Sequence, residues 1–177
     1  LDVITAVFRN LLKSLIIFIG IGLSSASAQD ETDSLDVFIF LAEGCPVCQS
    51  VTVEINRVQK EFEQSTIKFY GIFPGKLSSG ESRDAFKKKY KLKFDLLADS
   101  NQSISKKLNA SITPEVVIIN KSKNEIIYRG LIDDSFAAVG KRRTVSKKTY
   151  LYDAIKTYNN QSIISEFTNP VGCKITW

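Results

Sequence analysis

The chain contains no histidine and no methionine, and only one tryptophan and three cysteines in 177 residues. These absences narrow the chemistry. A c-type haem site needs a histidine directly after its second cysteine, and Gln49 stands there. A zinc ribbon needs a second cysteine pair or histidine ligands, and neither exists. A soft-metal module built on three thiols, for copper for example, is disfavoured because histidine and methionine are missing as co-ligands. The apolar run Leu15 to Leu23 is short for a membrane span. No internal repeat is present, and no aromatics interleave with basic residues as a nucleic-acid surface requires, so no nucleic-acid partner is expected. The net charge is only +5. The densest basic cluster, Lys87-Lys88-Lys89 with Lys91 and Lys93, reads as a solvated helix end.

What the chain does have is Cys45-Pro46-Val47-Cys48. Before it, Leu35 to Leu41 is an apolar run rich in β-formers. After it, Cys48, Val51, Ile55, Val58 and Phe62 recur at steps of 3, 4, 3 and 4, one face of a helix. The dithiol therefore lies where a buried strand ends and a helix begins. Cys45 falls at the helix N-terminus, where free N–H groups and the helix dipole favour a thiolate. Cys48 lies one turn further in, on the buried face. An exposed nucleophile with a shielded partner suits thiol–disulfide exchange, in which Cys45 attacks and Cys48 resolves. The plainer reading is a pair of buried structural thiols.

The N-terminus carries Arg9 and Lys13, then the apolar run, then Ser24-Ser25-Ala26-Ser27-Ala28. That is the order of a signal peptide with an Ala-x-Ala cleavage site, giving a leader at residues 1–28 and an exported remainder. An uncleaved anchor is the alternative. The expected address is the periplasm or cell envelope, with secretion as a variant. Residues 29–160 then form one domain, and 161–177 an extension docked on it through Ile163, Ile164, Phe167, Val171 and Ile175.

Strand and helix signals alternate: strand 35–41, helix 46–64, strand 66–73, helix 81–90, strand 94–98, helix 101–108, a buried strand 115–120, its hairpin partner 125–130, and a last helix 149–159. This order predicts an α/β sandwich, a central mixed β-sheet flanked by helices. The segment 131–148 is a long link between the last strand and the last helix. Asp133 and Asp134 there oppose Lys141-Arg142-Arg143.

Taken together, Ala42-Glu43-Gly44-Cys45-Pro46-Val47-Cys48 after an apolar strand, and Thr113-Pro114 opening another strand about 65 residues later, resemble the thioredoxin superfamily. The extra helix and strand over roughly residues 81–98 resemble the insertion of its redoxin branch, which holds AhpC/TSA-like peroxiredoxins and exported thioredoxin-like reductases. Tyr128-Arg129-Gly130-Leu131-Ile132-Asp133-Asp134, Lys141-Arg142-Arg143 and Val171-Gly172-Cys173-Lys174-Ile175 are similar to redoxin-domain proteins of bacterial envelopes. The resemblance implies a thioredoxin-like fold with a redoxin-type insertion and a cis peptide before Pro114. It also implies that Thr113 and Pro114 bind an extended segment of a substrate protein bearing disulfides or thiols. A membrane electron donor is implied if the protein is a reductase. No cofactor is expected, since a Cys45–Cys48 disulfide carries the two electrons.

The sequence also departs from the family patterns. Gly44 stands where thioredoxins carry tryptophan, and the strand before it lacks their buried aspartate. Glu43 and Glu115 flank the site and are the candidates for a proton relay to Cys48. Peroxiredoxins carry proline and threonine at the positions held here by Phe38 and Ala42, so peroxidase chemistry ranks second. Cys173 is the odd cysteine of an exported chain. Its readings are a structural thiol, a resolving or substrate-side third thiol, or a metal ligand.

Overall fold

The structure, a computed structural model, describes residues 34–160 and 167–176. The leader expected at 1–28, together with Ile163 and Ile164 of the extension, lies outside them. Five strands form the main sheet: β1 (Leu35–Phe40), β2 (Lys68–Pro74), β3 (Asp95–Asp99), β5 (Glu115–Asn120) and β6 (Glu125–Gly130). Their order is β3-β2-β1-β5-β6. β1 runs parallel to β2, and β2 to β3, whereas β5 is antiparallel to both β1 and β6. This is the mixed sheet of a thioredoxin-like sandwich.

Side-chain alternation sorts the strands onto two faces. Val37, Ile39, Val116 and Ile118 point to one side. There they meet Val51, Ile55 and Val58 of helix α1 (Pro46–Glu61), Phe86 of α2 (Gly80–Tyr90), and Leu151, Ala154 and Ile155 of α4 (Tyr150–Asn159). Phe40, Ile72 and Val117 point to the other side. They meet Leu108, Ala110 and Ile175 below the short helix α3 (Ser103–Lys107). The helices inserted between β1 and β5 thus cover both faces of the sheet.

Most expected elements appear with small shifts. α1 ends at Glu61 instead of 64, because the amides of Phe62 and Glu63 turn back to Val58 O and Lys60 O at 3.1 and 3.3 Å. α2 starts at Gly80 through a reciprocal cap between Ser79 and Ser82. Its final turn holds Lys87, Lys88 and Lys89, favourably placed at the negative end of the helix dipole. α3 is shorter than expected because Gln102 adopts a left-handed conformation, φ 58°. Asp99 instead reaches over it to accept the amides of Ile104 and Ser105 at 3.0 and 2.8 Å.

Four short strands have no counterpart in the sequence reading. β7 (Phe136–Ala138) and β8 (Lys141–Arg142) form a hairpin inside the link 131–148. Asp134 holds that link, accepting from Ser146 Oγ and the amides of Lys147 and Lys148 at 2.7–3.0 Å, with Arg143 Nε at 3.9 Å. β4 (Ile112–Thr113) and β9 (Cys173–Lys174) pair antiparallel. This second pair brings the end of the chain to the dithiol.

Candidate active site

β1 delivers the chain to a tight turn, in which the Cys45 amide donates to Ala42 O at 3.2 Å. Cys45 is the N-cap residue of α1, with extended backbone, and its carbonyl accepts the Gln49 amide at 3.1 Å. Pro46 occupies the first helical position, where no N–H is needed. α1 has no side-chain cap and no acidic residue in its first turn, so the positive end of its dipole is left to favour a thiolate at Cys45. Cys48 sits one turn on, fully buried under the helix.

The surroundings drive the thiols apart in acidity. Hydrogen bonding from the Cys48 thiol lowers Cys45 most; the Cys173 thiol and the amides of Cys48 and Val47 add to it, and together they outweigh burial. The Cys45 pKa falls to about 5. Cys48 moves well above the ordinary thiol value, first through burial, then through the hydrogen bond and charge of Cys45. Cys173 rises to about 11, again through burial and then Cys45. At neutral pH the centre is one thiolate between two protonated thiols.

The Thr113–Pro114 peptide is cis. Thr113 O lies 3.3 Å from Cys45 Sγ and accepts its proton when the thiol is neutral. Thr113 is itself buried, and its hydroxyl donates to Cys173 O at 3.3 Å. Two expectations change here. The Thr113 edge does not lie open, because β9 occupies it, with Thr113 paired to Cys173 and Ile112 to Lys174. Cys45 is not exposed either: only 2% of its surface is accessible. The segment 167–176 crosses this end of the sheet and closes over the thiols.

That segment is held at successive points. Thr168 bonds Arg129 O through its amide at 3.0 Å, and its hydroxyl accepts the Leu131 amide at 2.8 Å. The Ile175 amide donates to Ser111 O at 2.9 Å, and Thr176 O accepts from Gln102 Nε2 at 2.6 Å. Gly172 passes so close to Thr113 that a Cβ would overlap its carbonyl oxygen and stand 2.8 Å from Pro114 Cδ. Only glycine fits there.

The two carboxylates part company. Glu43 lies beside the turn, and its carboxylate accepts from Ser78 and Ser82 hydroxyls at 2.5 and 2.8 Å. Glu115 is no relay. It shares strand parity with Val117 and so lies on the sheet face opposite α1. There it accepts the Ser111 amide at 3.0 Å and pairs with Arg129 at 3.0 Å, bracing the approach to Thr113. The sequence motifs include Arg129 and Gly172 but give neither a role, and nothing in the sequence singles out Thr168. Parity along 115–120 would have removed Glu115 from the relay.

A cavity of about 480 Å³ opens beside the turn, with Ala42, Gly44, Leu77, Thr113 and Lys174 on its walls. No residue of the link 131–148 lines it. Among the described residues, no group of three or more histidine, cysteine or acidic side chains is arranged to hold a metal ion.

Comparison with known proteins agrees with this architecture. An uncharacterized conserved protein from Geobacillus kaustophilus superposes with a TM-score of 0.72 at 22% identity, over 82% of this chain and 78% of its own. A hypothetical protein from Sinorhizobium meliloti gives 0.71 at 19% identity, over 82% and 81%. A secreted Mycobacterium tuberculosis disulfide oxidoreductase aligns over 52% of this chain and 65% of its own, at 22% identity and a TM-score of 0.46. No curated protein sequence matches the chain closely enough to count as a relative. The family model that does match runs over residues 23–129, from before β1 into β6 and across the dithiol turn, and by it this chain belongs to the AhpC/TSA family.

Proposed function

We propose that the protein is an exported thiol–disulfide oxidoreductase that exchanges two electrons with protein disulfides through Cys45 and Cys48. The observation that carries this reading is the asymmetric dithiol. Cys45 caps α1 against the Thr113 carbonyl, and Cys48 is sealed one turn below. In the reducing direction the Cys45 thiolate attacks one sulfur of a substrate disulfide. The substrate S–S bond breaks and its second sulfur leaves as a thiolate. Once Cys45 is bound in the mixed disulfide its charge is gone, and with it two of the three influences that keep Cys48 protonated. Cys48 then gives its proton to the departing substrate thiolate and attacks Cys45 Sγ. The substrate leaves reduced, and the Cys45–Cys48 disulfide holds its two electrons' worth of oxidation. Glu43, beside the turn, is the remaining candidate to assist that proton.

The signal-like segment at 1–28 supports export to the periplasm or envelope, and a membrane donor would then re-reduce the dithiol. Among the described residues no helix is long and apolar enough to cross a membrane. Family membership and a low Cys45 pKa also suit a thiol peroxidase. Against that reading, Phe38 stacks on Tyr70 at 5.3 Å on the face away from the thiols, and Ala42 has no hydroxyl to orient a peroxide.

A redox titration against glutathione, run beside turnover assays with a protein disulfide and with hydrogen peroxide, decides between them. Protein-disulfide turnover that drops by more than about 100-fold in Cys45→Ser is expected. Fast peroxide turnover through a Cys45 sulfenate, without protein-disulfide turnover, would move the protein to the peroxidases.

A further inference from the structure

We propose that Cys173 is a third redox thiol, which exchanges with Cys45 while its strand holds the Thr113 edge as an internal substrate. The proposal rests on the oxidoreductase reading and specifies what occupies that site at rest.

Three independent observations lead to it. First, β9 makes with Thr113 the pairing that an extended substrate segment would make, and it puts a cysteine directly opposite Thr113. Second, the approach is built in: Gly172 removes the side chain that would collide with Thr113 and Pro114. Thr168, Ile175 and Thr176 hold the segment on either side. Third, Cys45 Sγ lies 3.3 Å from the carbonyl oxygen of Thr113, the residue Cys173 directly opposes, and Cys173 packs against the core cluster that holds both Cys45 and Cys48, so either thiol is placed to become its disulfide partner.

The exchange balances without an added oxidant. In the oxidised protein the Cys173 thiolate attacks Cys45 Sγ. A Cys45–Cys173 bond forms, the Cys45–Cys48 bond breaks, and Cys48 leaves as a thiolate that takes up the proton Cys173 gave up. Formation of the Cys45–Cys48 bond also removes the Cys45 charge, one cause of the high Cys173 pKa, so Cys173 is easier to ionise in the state where it must attack. The Cys45–Cys173 form locks the segment over Thr113 and excludes protein substrates. The Cys45–Cys48 form lets it lift.

Disulfide mapping tests this on the full chain after stoichiometric diamide oxidation, acid quench and alkylation, with Cys48→Ser, Cys173→Ser and Gly172→Val beside the wild type. Cys48→Ser should form a Cys45–Cys173 bridge within the monomer, and the wild type should show both bridges. Gly172→Val, which pushes the segment off Thr113 without touching a thiol, should lower the Cys45–Cys173 fraction at least about tenfold as effective concentration is lost. It should also lower KM for a protein disulfide while Cys173→Ser, which keeps the strand, leaves KM nearer the wild-type value. Cys48→Ser giving only intermolecular dimers, with Cys173 free, overturns the proposal. Mapping needs no substrate, so a wild type that bridges Cys45 to Cys173 yet turns over no protein disulfide would sink the oxidoreductase reading and leave the third thiol in place.

Discussion

Arg129 Nη1 lies 3.0 Å from Glu115 Oε1, with the glutamate side chain 3% and the arginine 20% exposed. The same guanidinium donates to the carbonyls of Leu108 and Asn109. The other carboxylate oxygen accepts the amides of Ser111 and Ile112 at 3.0 and 3.4 Å. One ion pair thus fixes the chain from the end of α3 to β4, and hence the carbonyl that faces Cys45.

Arg129→Ala leaves that buried carboxylate without its counter-ion. The loss expected is about 3 kcal/mol, the low end for a broken buried pair because the arginine is partly solvated. Urea unfolding of the reduced protein measures it. A loss below about 0.5 kcal/mol would mean that the carboxylate is rehydrated at no great cost once the arginine is gone.

The acidity of Cys45 is measurable through the ultraviolet absorbance of its thiolate. Its pKa is depressed, so the thiolate forms as pH rises through about 5. Cys48 and Cys173 contribute nothing until pH is well above neutral. A single sulfur should therefore titrate in the acid range. Cys173→Ala removes one of the hydrogen bonds and should move that midpoint up. An unmoved midpoint would show that Cys173 does not support the thiolate.

Asp99 is 2% exposed and accepts from the Ser105 hydroxyl and amide at 2.6 and 2.8 Å. Burial raises its pKa, but the hydrogen bonds from Ser105 and Ile104 outweigh this, and the net shift is downward. A depressed folded value means stability that is fully present above the unfolded carboxylate pKa. That stability is lost as pH falls through the folded one. Asp99→Ala should cost about 1–2 kcal/mol at neutral pH, as loss of a buried cap does. The difference from wild type should shrink in strong acid. Thermal melts across pH give both numbers.

Gly130 has φ +135°, and a Cβ on it would overlap Thr168. Gly130→Ala should loosen the 167–176 segment where it leaves β6, at a cost of about 1–3 kcal/mol. Limited proteolysis should then cut within 167–176 several times faster than in wild type, with the sheet intact. Cleavage at the wild-type rate would show that Thr168 is not an anchor.

Much of the sheet was legible because its strands follow simple rules. Leu35 to Phe40 and Val116 to Ile119 are apolar runs of strand length, and 125–130 follows a turn at hairpin distance. α1 was legible from one apolar face and from Pro46 at its start. The closed state of the site was not. β4 and β9 are two residues each, too short to show any period, and they join positions 60 residues apart. The burial of Cys45 is a consequence of that distant pairing, so no local pattern announces it. Gly172-Cys173 gave the one hint, a glycine beside an odd cysteine, but its meaning depends on Thr113 being opposite.

The pairing that closes the site is also its thinnest seam. β5 shares ladders with β1 along its whole length and with β6 on its other side, whereas β9 meets β4 over two residues. Amides in such a short ladder exchange with solvent through local opening, at a free energy below that of global unfolding. Hydrogen exchange should therefore separate the protein into two tiers, a slow one across β1 and β5 and a faster one at Cys173 and Lys174. The opening free energy read from the faster tier is that of uncovering the thiolate in an otherwise folded protein, and a Cys45–Cys173 bond would raise it toward the slow one.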